Sequence, residues 1–138
     1  MHLLAAIAFI GTVFFEVIIL GGAHRYLSRE TRREVEHAVG LRARAVIPWV
    51  LLVLYGAGFG MAWQHRAALA VPTSSSFGLL LSIKILLAIS VFGHFLFVMV
   101  LSRRQRLDAR RSRRIHLSVF VHVVTIALLA KAMFYVTW

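Results

Sequence analysis

The sequence predicts an all-α integral membrane protein: a four-helix bundle, up-down-up-down, forming a single transmembrane domain over residues 1–138. Three observations lead there. The chain is 60% hydrophobic with a mean hydropathy of +0.82, more apolar surface than a water-soluble domain of this length can hide. The apolar residues fall in four runs, about 2–22, 45–63, 77–101 and 115–138. At ~1.5 Å per residue, runs of this length match a hydrocarbon layer of ~30 Å. Finally, the net charge of +11 sits mostly in two arginine-rich blocks between the runs, which argues against a nucleic-acid-binding surface. The absence of cysteine excludes disulfides, thiolate metal sites and cysteine nucleophiles.

The first run, His2 to Gly22, holds one carboxylate, Glu16. It lacks a basic leader and is too long for the apolar part of a signal peptide, so it reads as a spanning helix. The segment from Ala23 to Arg44 carries Arg25, Arg29, Arg32, Arg33, Arg42 and Arg44. Thr31 and Glu34 have capping-box spacing, which predicts a short separate helix along the membrane surface.

The second run, Ala45 to Trp63, has Pro48 in its first turn, where proline is tolerated. Gly56 and Gly60 form a small-xxx-small pair suited to close helix packing. Gln64 to Ser76 reads as a loop, with Arg66 its one arginine. The third run, Phe77 to Leu101, has two ionisable side chains, Lys84 and His94. An ionisable group inside a spanning helix is costly and usually faces protein or water. Ser102 to Arg114 then adds seven arginines: 103, 104, 106, 110, 111, 113 and 114. The fourth run contains His116, His122 and Lys131. We read no internal repeat.

Six and seven arginines in the outer connections, against one in the middle, place the rich loops in the cytoplasm and both termini outside. Trp63 and Trp138 then lie at the outer interface and Trp49 at the inner one. In that frame Glu16, His94 and His122 each lie ~10–12 Å from the cytoplasmic ends of their helices. Helices 3 and 4, joined by a short loop, should be antiparallel neighbours. His2, Lys84 and Lys131 lie toward the outer face. By a ~100° step per residue, His2 and Glu16 share a face to within roughly 40°, whereas His122 and Lys131 are half a turn apart. Lys131 either faces the interior or snorkels outward.

Paired histidines at one depth suit axial ligation of a b-type haem. With Glu16 they suit a non-haem iron, copper or zinc site, and Met61, Met99 and Met133 could extend a copper path. The other reading is that these polar groups only pair with one another to close the bundle.

His2-Leu3-Leu4-Ala5-Ala6 with Gly11 resembles the opening helix of the CopD-like copper-resistance membrane proteins. The third helix, with Lys84 early and His94 later, is similar to that of the HemJ-type protoporphyrinogen oxidases. The first resemblance implies copper handling at the inner membrane. The second implies haem b and porphyrinogen oxidation. The chain departs from the HemJ pattern at Phe14-Phe15-Glu16-Val17 in the first helix and at His116 and His122 in the fourth.

The expected function is therefore a b-type haem redox protein of a bacterial-type inner membrane, with copper handling or transport as the alternative. His94 and His122 are the expected axial or metal ligands, with Glu16 as a third metal ligand or an acid. Lys84 and Glu16 are the expected catalytic groups. His2 and Lys84 form an outer site for substrate or quinone, and Arg103, Arg104 or Arg25 holds the propionates. Expected partners are lipid, a quinone, a porphyrin or a redox protein, and a second copy of the chain, with no nucleic acid.

Overall fold

The computed structural model describes residues 1–104 and 109–136. All regular structure among them is helical. Four helices are long and apolar enough to cross a membrane: His2–Tyr26 (α1), Arg29–Gln64 (α2), Ser76–Arg103 (α4) and, over residues Arg111–Ala132, the helix Ala109–Ala132 (α5). A short helix, Arg66–Ala70 (α3), and a 3₁₀ turn, Pro72–Ser74, lie between α2 and α4. Trp138, expected at the outer interface, is outside the described residues. The chain divides into two compact units, Met1–Ala62 and Trp63–Trp138.

In the first unit, α1 is not uniformly α-helical. Phe15–Leu20, which includes Glu16, is wound as a π-helix, and His24–Tyr26 tightens to 3₁₀. A π-turn adds a residue to the hydrogen-bonded ring and tends to mark functional or strained positions. It also advances each residue by less than 100°, which affects only the last two steps between His2 and Glu16. Ala5, Phe9 and Val13 form a buried stripe at helical spacing.

The expected surface helix is absent as a separate element. Leu27 is extended, Ser28 caps, and α2 then runs unbroken for 36 residues. The Ser28 hydroxyl accepts the Thr31 N–H at 3.1 Å, so Ser28 is the N-cap and the Thr31–Glu34 capping box does not form. At ~1.5 Å per residue α2 is ~54 Å long, well beyond a ~30 Å hydrocarbon layer. Pro48 is therefore interior. It has no N–H for the Arg44 carbonyl, yet the helix continues through it.

Contacts at both ends show that α1 and α2 run antiparallel. At one end, Glu36 Oε1 accepts from Arg32 Nε at 2.8 Å and lies 3.4 Å from His24 Nε2. At the other, His2 Nδ1 donates to the Leu54 carbonyl at 2.9 Å. The glycine that admits the His2 ring is Gly58: a Cβ there would stand 3.2 Å from Cε1. Gly56 and Gly60, the expected packing pair, have nothing within 4 Å. Gly58→Leu is accordingly expected to displace the His2 ring and lower the unfolding temperature in detergent, at a cost of about 1 kcal/mol for the lost bond. Gly56→Leu and Gly60→Leu should not; equal losses at all three positions would refute this packing.

In the second unit, Ser75 caps α4 by accepting the Gly78 N–H at 3.1 Å. Residues 65–75 fold back over this turn, burying Ser76 to 4% exposure. His65 stacks obliquely on Phe77, ring centroids 5.4 Å apart. α4 and α5 pack along their length, with Val91, Val119 and Val123 buried.

Candidate functional site

The α4–α5 hairpin brings His94 and His122 together. Their ring centroids are 5.4 Å apart and the planes tilt by 56°. Four hydrogen bonds close a ring around them. His94 Nδ1 donates to the carbonyl of Ser90, one turn back on α4, at 2.7 Å. The Ser90 hydroxyl bonds His122 Nε2 across the interface at 3.2 Å. His122 Nδ1 donates to the carbonyl of Ser118, one turn back on α5, at 2.8 Å. The Ser118 hydroxyl returns to His94 Nε2 at 3.1 Å. Residue 94 meets 118 and residue 90 meets 122, so the numbers run in opposite directions, as antiparallel helices require.

A carbonyl oxygen can only accept, so both Nδ1 atoms carry hydrogen. In the neutral imidazole each Nε2 then presents a lone pair, and the serine hydroxyl is its donor. Backbone anchoring of one ring nitrogen is how proteins orient an imidazole whose other nitrogen is to bind a metal. All four side chains are partly buried in the hairpin. On α5 a shallow, mostly apolar groove runs past the pair, lined by Arg114, Leu117, Ser118, Val121 and His122.

The two serines are not among the expected site residues, although the sequence marks them. Ser90-Val-Phe-Gly-His94 and Ser118-Val-Phe-Val-His122 are the same five-residue pattern. The expectation that the chain holds no internal repeat is thereby corrected: this short repeat, facing itself across an antiparallel hairpin, generates the two-fold character of the ring.

The other expected residues are placed as follows. Glu16 is half-buried in the π-turn of the first unit. Among the described residues no three histidine, aspartate or glutamate side chains gather as a metal site. His2 has its Nδ1 on the Leu54 carbonyl, which makes that nitrogen a packing bond. Lys84 is half-buried in α4 and has no hydrogen-bond or ion-pair partner among the described residues. Lys131 is exposed, its ammonium 4.8 Å from the centre of the Tyr135 ring, in keeping with a snorkelling lysine. Arg103 ends α4, exposed, and Arg25 lies over Tyr26 at 4.9 Å.

Haem can be tested against this geometry. An iron ligated by both rings places the porphyrin between them, so the helices must stand apart by the macrocycle. Here two short serine side chains span the same gap. The hairpin as folded therefore does not fit a haem between His94 and His122. A single ion fits better: two imidazoles at ~2 Å from one ion, on a line, have centroids roughly 6 Å apart. Here the two centroids are 5.4 Å apart, and each Nε2 faces a serine hydroxyl of the other helix.

Comparison with protein-family models, curated proteins and solved structures gives no match to this chain.

Proposed function

We propose that the chain is a multi-pass protein of a bacterial-type inner membrane, both termini outside, that handles a soft monovalent metal ion, copper(I), at His94 and His122. One observation carries this reading: two imidazoles on facing helices, both held by backbone carbonyls in the tautomer that leaves on each Nε2 a lone pair bonded only by a serine hydroxyl. Imidazole suits copper, and a closed-shell monovalent ion accepts two ligands in a line, whereas structural zinc wants four. The copper-handling resemblance of the first helix agrees with this choice. The ion is cargo, and the site lies nine residues from the arginine-rich end of α4, ~14 Å into the layer. A site with only two protein ligands suits an ion that must also leave.

Two measurements test the reading. Anaerobic titration of the detergent-purified protein with copper(I), or with silver(I) as its redox-silent substitute, is expected to show one ion per chain. No binding would overturn the proposal, and a red protein whose spectrum depends on both histidines would restore the haem alternative. For orientation, the arginine blocks flanking α1, α2, α4 and α5 support cytoplasmic loops. A reporter fused after Trp138 is expected to be active outside the cytoplasm only; cytoplasmic activity would invert the topology.

A further inference from the structure

We propose that Ser90 and Ser118 are the release residues of this site, their hydroxyls competing with the ion for the two Nε2 atoms. The inference rests on the metal-handling reading above and adds what makes binding reversible.

The two kinds of contact differ in length. The two Nδ1–carbonyl bonds measure 2.7 and 2.8 Å, whereas the hydroxyl contacts on Nε2 measure 3.2 and 3.1 Å. The short bonds hold the rings in place while the long ones are exchanged.

The hydroxyls also have somewhere to go. Elsewhere in this protein a helical hydroxyl bonds the carbonyl four residues back: Thr12 to Ala8, Ser82 to Gly78 and Thr125 to Val121, each at 2.8 Å. Ser90 and Ser118 depart from that habit by reaching across the interface. A rotation about χ1 takes Ser90 to the Leu86 carbonyl and Ser118 to the Arg114 carbonyl. On ion entry two dative Nε2–metal bonds form, two O–H···N bonds break and two O–H···O=C bonds replace them. No proton is taken up or released, and no hydroxyl is left unsatisfied. Ion departure reverses the exchange.

Silver(I) titration of wild type, Ser90→Ala, Ser118→Ala and the double variant tests this. Each alanine removes a competitor and is expected to tighten binding about fivefold and slow ion release, the effect of one net hydrogen bond. The unfolding temperature of the ion-free variants should fall, because the interhelical bonds are lost; a purely structural serine would lower stability and affinity together. Imidazole ¹⁵N NMR without ion gives a second readout: the variants should shift Nε2 toward an unbonded lone pair and leave Nδ1–H in place. Variants that bind silver(I) as wild type does, or more weakly, overturn the serine role and leave the metal reading standing. A wild type that binds nothing beside a double variant that binds upholds the serines as a block and removes the proposed function. No binding by either removes both.

Discussion

His94→Ala and His122→Ala are each expected to lower silver(I) or copper(I) affinity by a factor on the order of 100 or more. Removing even an outer partner of a metal ligand commonly costs 10–100-fold, and here one of only two ligands is lost. The two variants should behave alike, because each histidine has the same anchor and the same serine contact. Lys131→Met, altering an exposed lysine beside Tyr135, should leave the affinity unchanged. The reading fails if either histidine can be replaced without loss, or if the ion follows Lys131. Unfolding curves must accompany the titration, since hydrogen bonds between membrane helices contribute ~0.6 kcal/mol on average and up to about 2 kcal/mol. That loss cannot account for a hundredfold drop while the protein remains folded.

Gly78→Ala is expected to destabilise the second unit by about 1–3 kcal/mol, the range for overpacking. The usual sign of glycine to alanine inside a helix is the opposite, since alanine is favoured by about 1 kcal/mol. At Gly78 the added Cβ would lie 2.9 Å from the Ala68 carbonyl oxygen, 3.0 Å from that of Pro72 and 3.2 Å from the Ser75 hydroxyl. Two of these are backbone atoms of the folded-back connection, so relief requires moving the chain. Gly93→Ala, at a position with nothing within 4 Å, is the control and should be neutral or stabilising. Thermal unfolding in detergent and protease cleavage within 65–75 measure the difference. Equal stability of the two variants would refute the packing. Silver(I) affinity should be retained in Gly78→Ala, because His94 lies sixteen residues, or ~24 Å, along α4.

Much of the fold is legible in the sequence because a spanning helix has to be apolar for a fixed length. That His94 and His122 meet is legible too, since a short connection forces antiparallel neighbours, but the register sets His94 opposite Ser118 and His122 opposite Ser90, one turn away from equal depth. The start of α2 differs from its expected place for an instructive reason. The change from arginine-rich to apolar sequence at Ala45 suggests a helix boundary, yet polarity reports where the solvent changes. Between Ser28 and Pro48 the chain carries no proline, and its Arg, Glu, Ala and Leu residues favour helix. Gly58 does not stand out in the sequence because small-residue spacing does not reveal which glycine faces the neighbour; a histidine ring opposite it does. The serines are hard to single out because hydroxyls in apolar helices ordinarily bond their own backbone. Only the repeated Ser-Val-Phe-x-His pattern distinguishes them. Nothing in Phe15–Leu20 announces a π-turn.

That turn makes α1 a dial. A segment wound with one residue to spare sets the angular phase between the two stretches of helix that it joins. His24, beyond the π-turn, meets Glu36, and His2, before it, meets Leu54. Deleting one residue of 15–20 as the segment rewinds to α-helix would nearly keep that phase, whereas rewinding it with all six residues kept would turn the whole of His2–Phe14 by about 100° against the His24 end. The His2 ring would swing off the bare backbone at Gly58, and Ala5, Phe9 and Val13 would rotate away with it. The wider winding of this short stretch thus acts as the timing mark that lets both ends of α1 engage α2 at once.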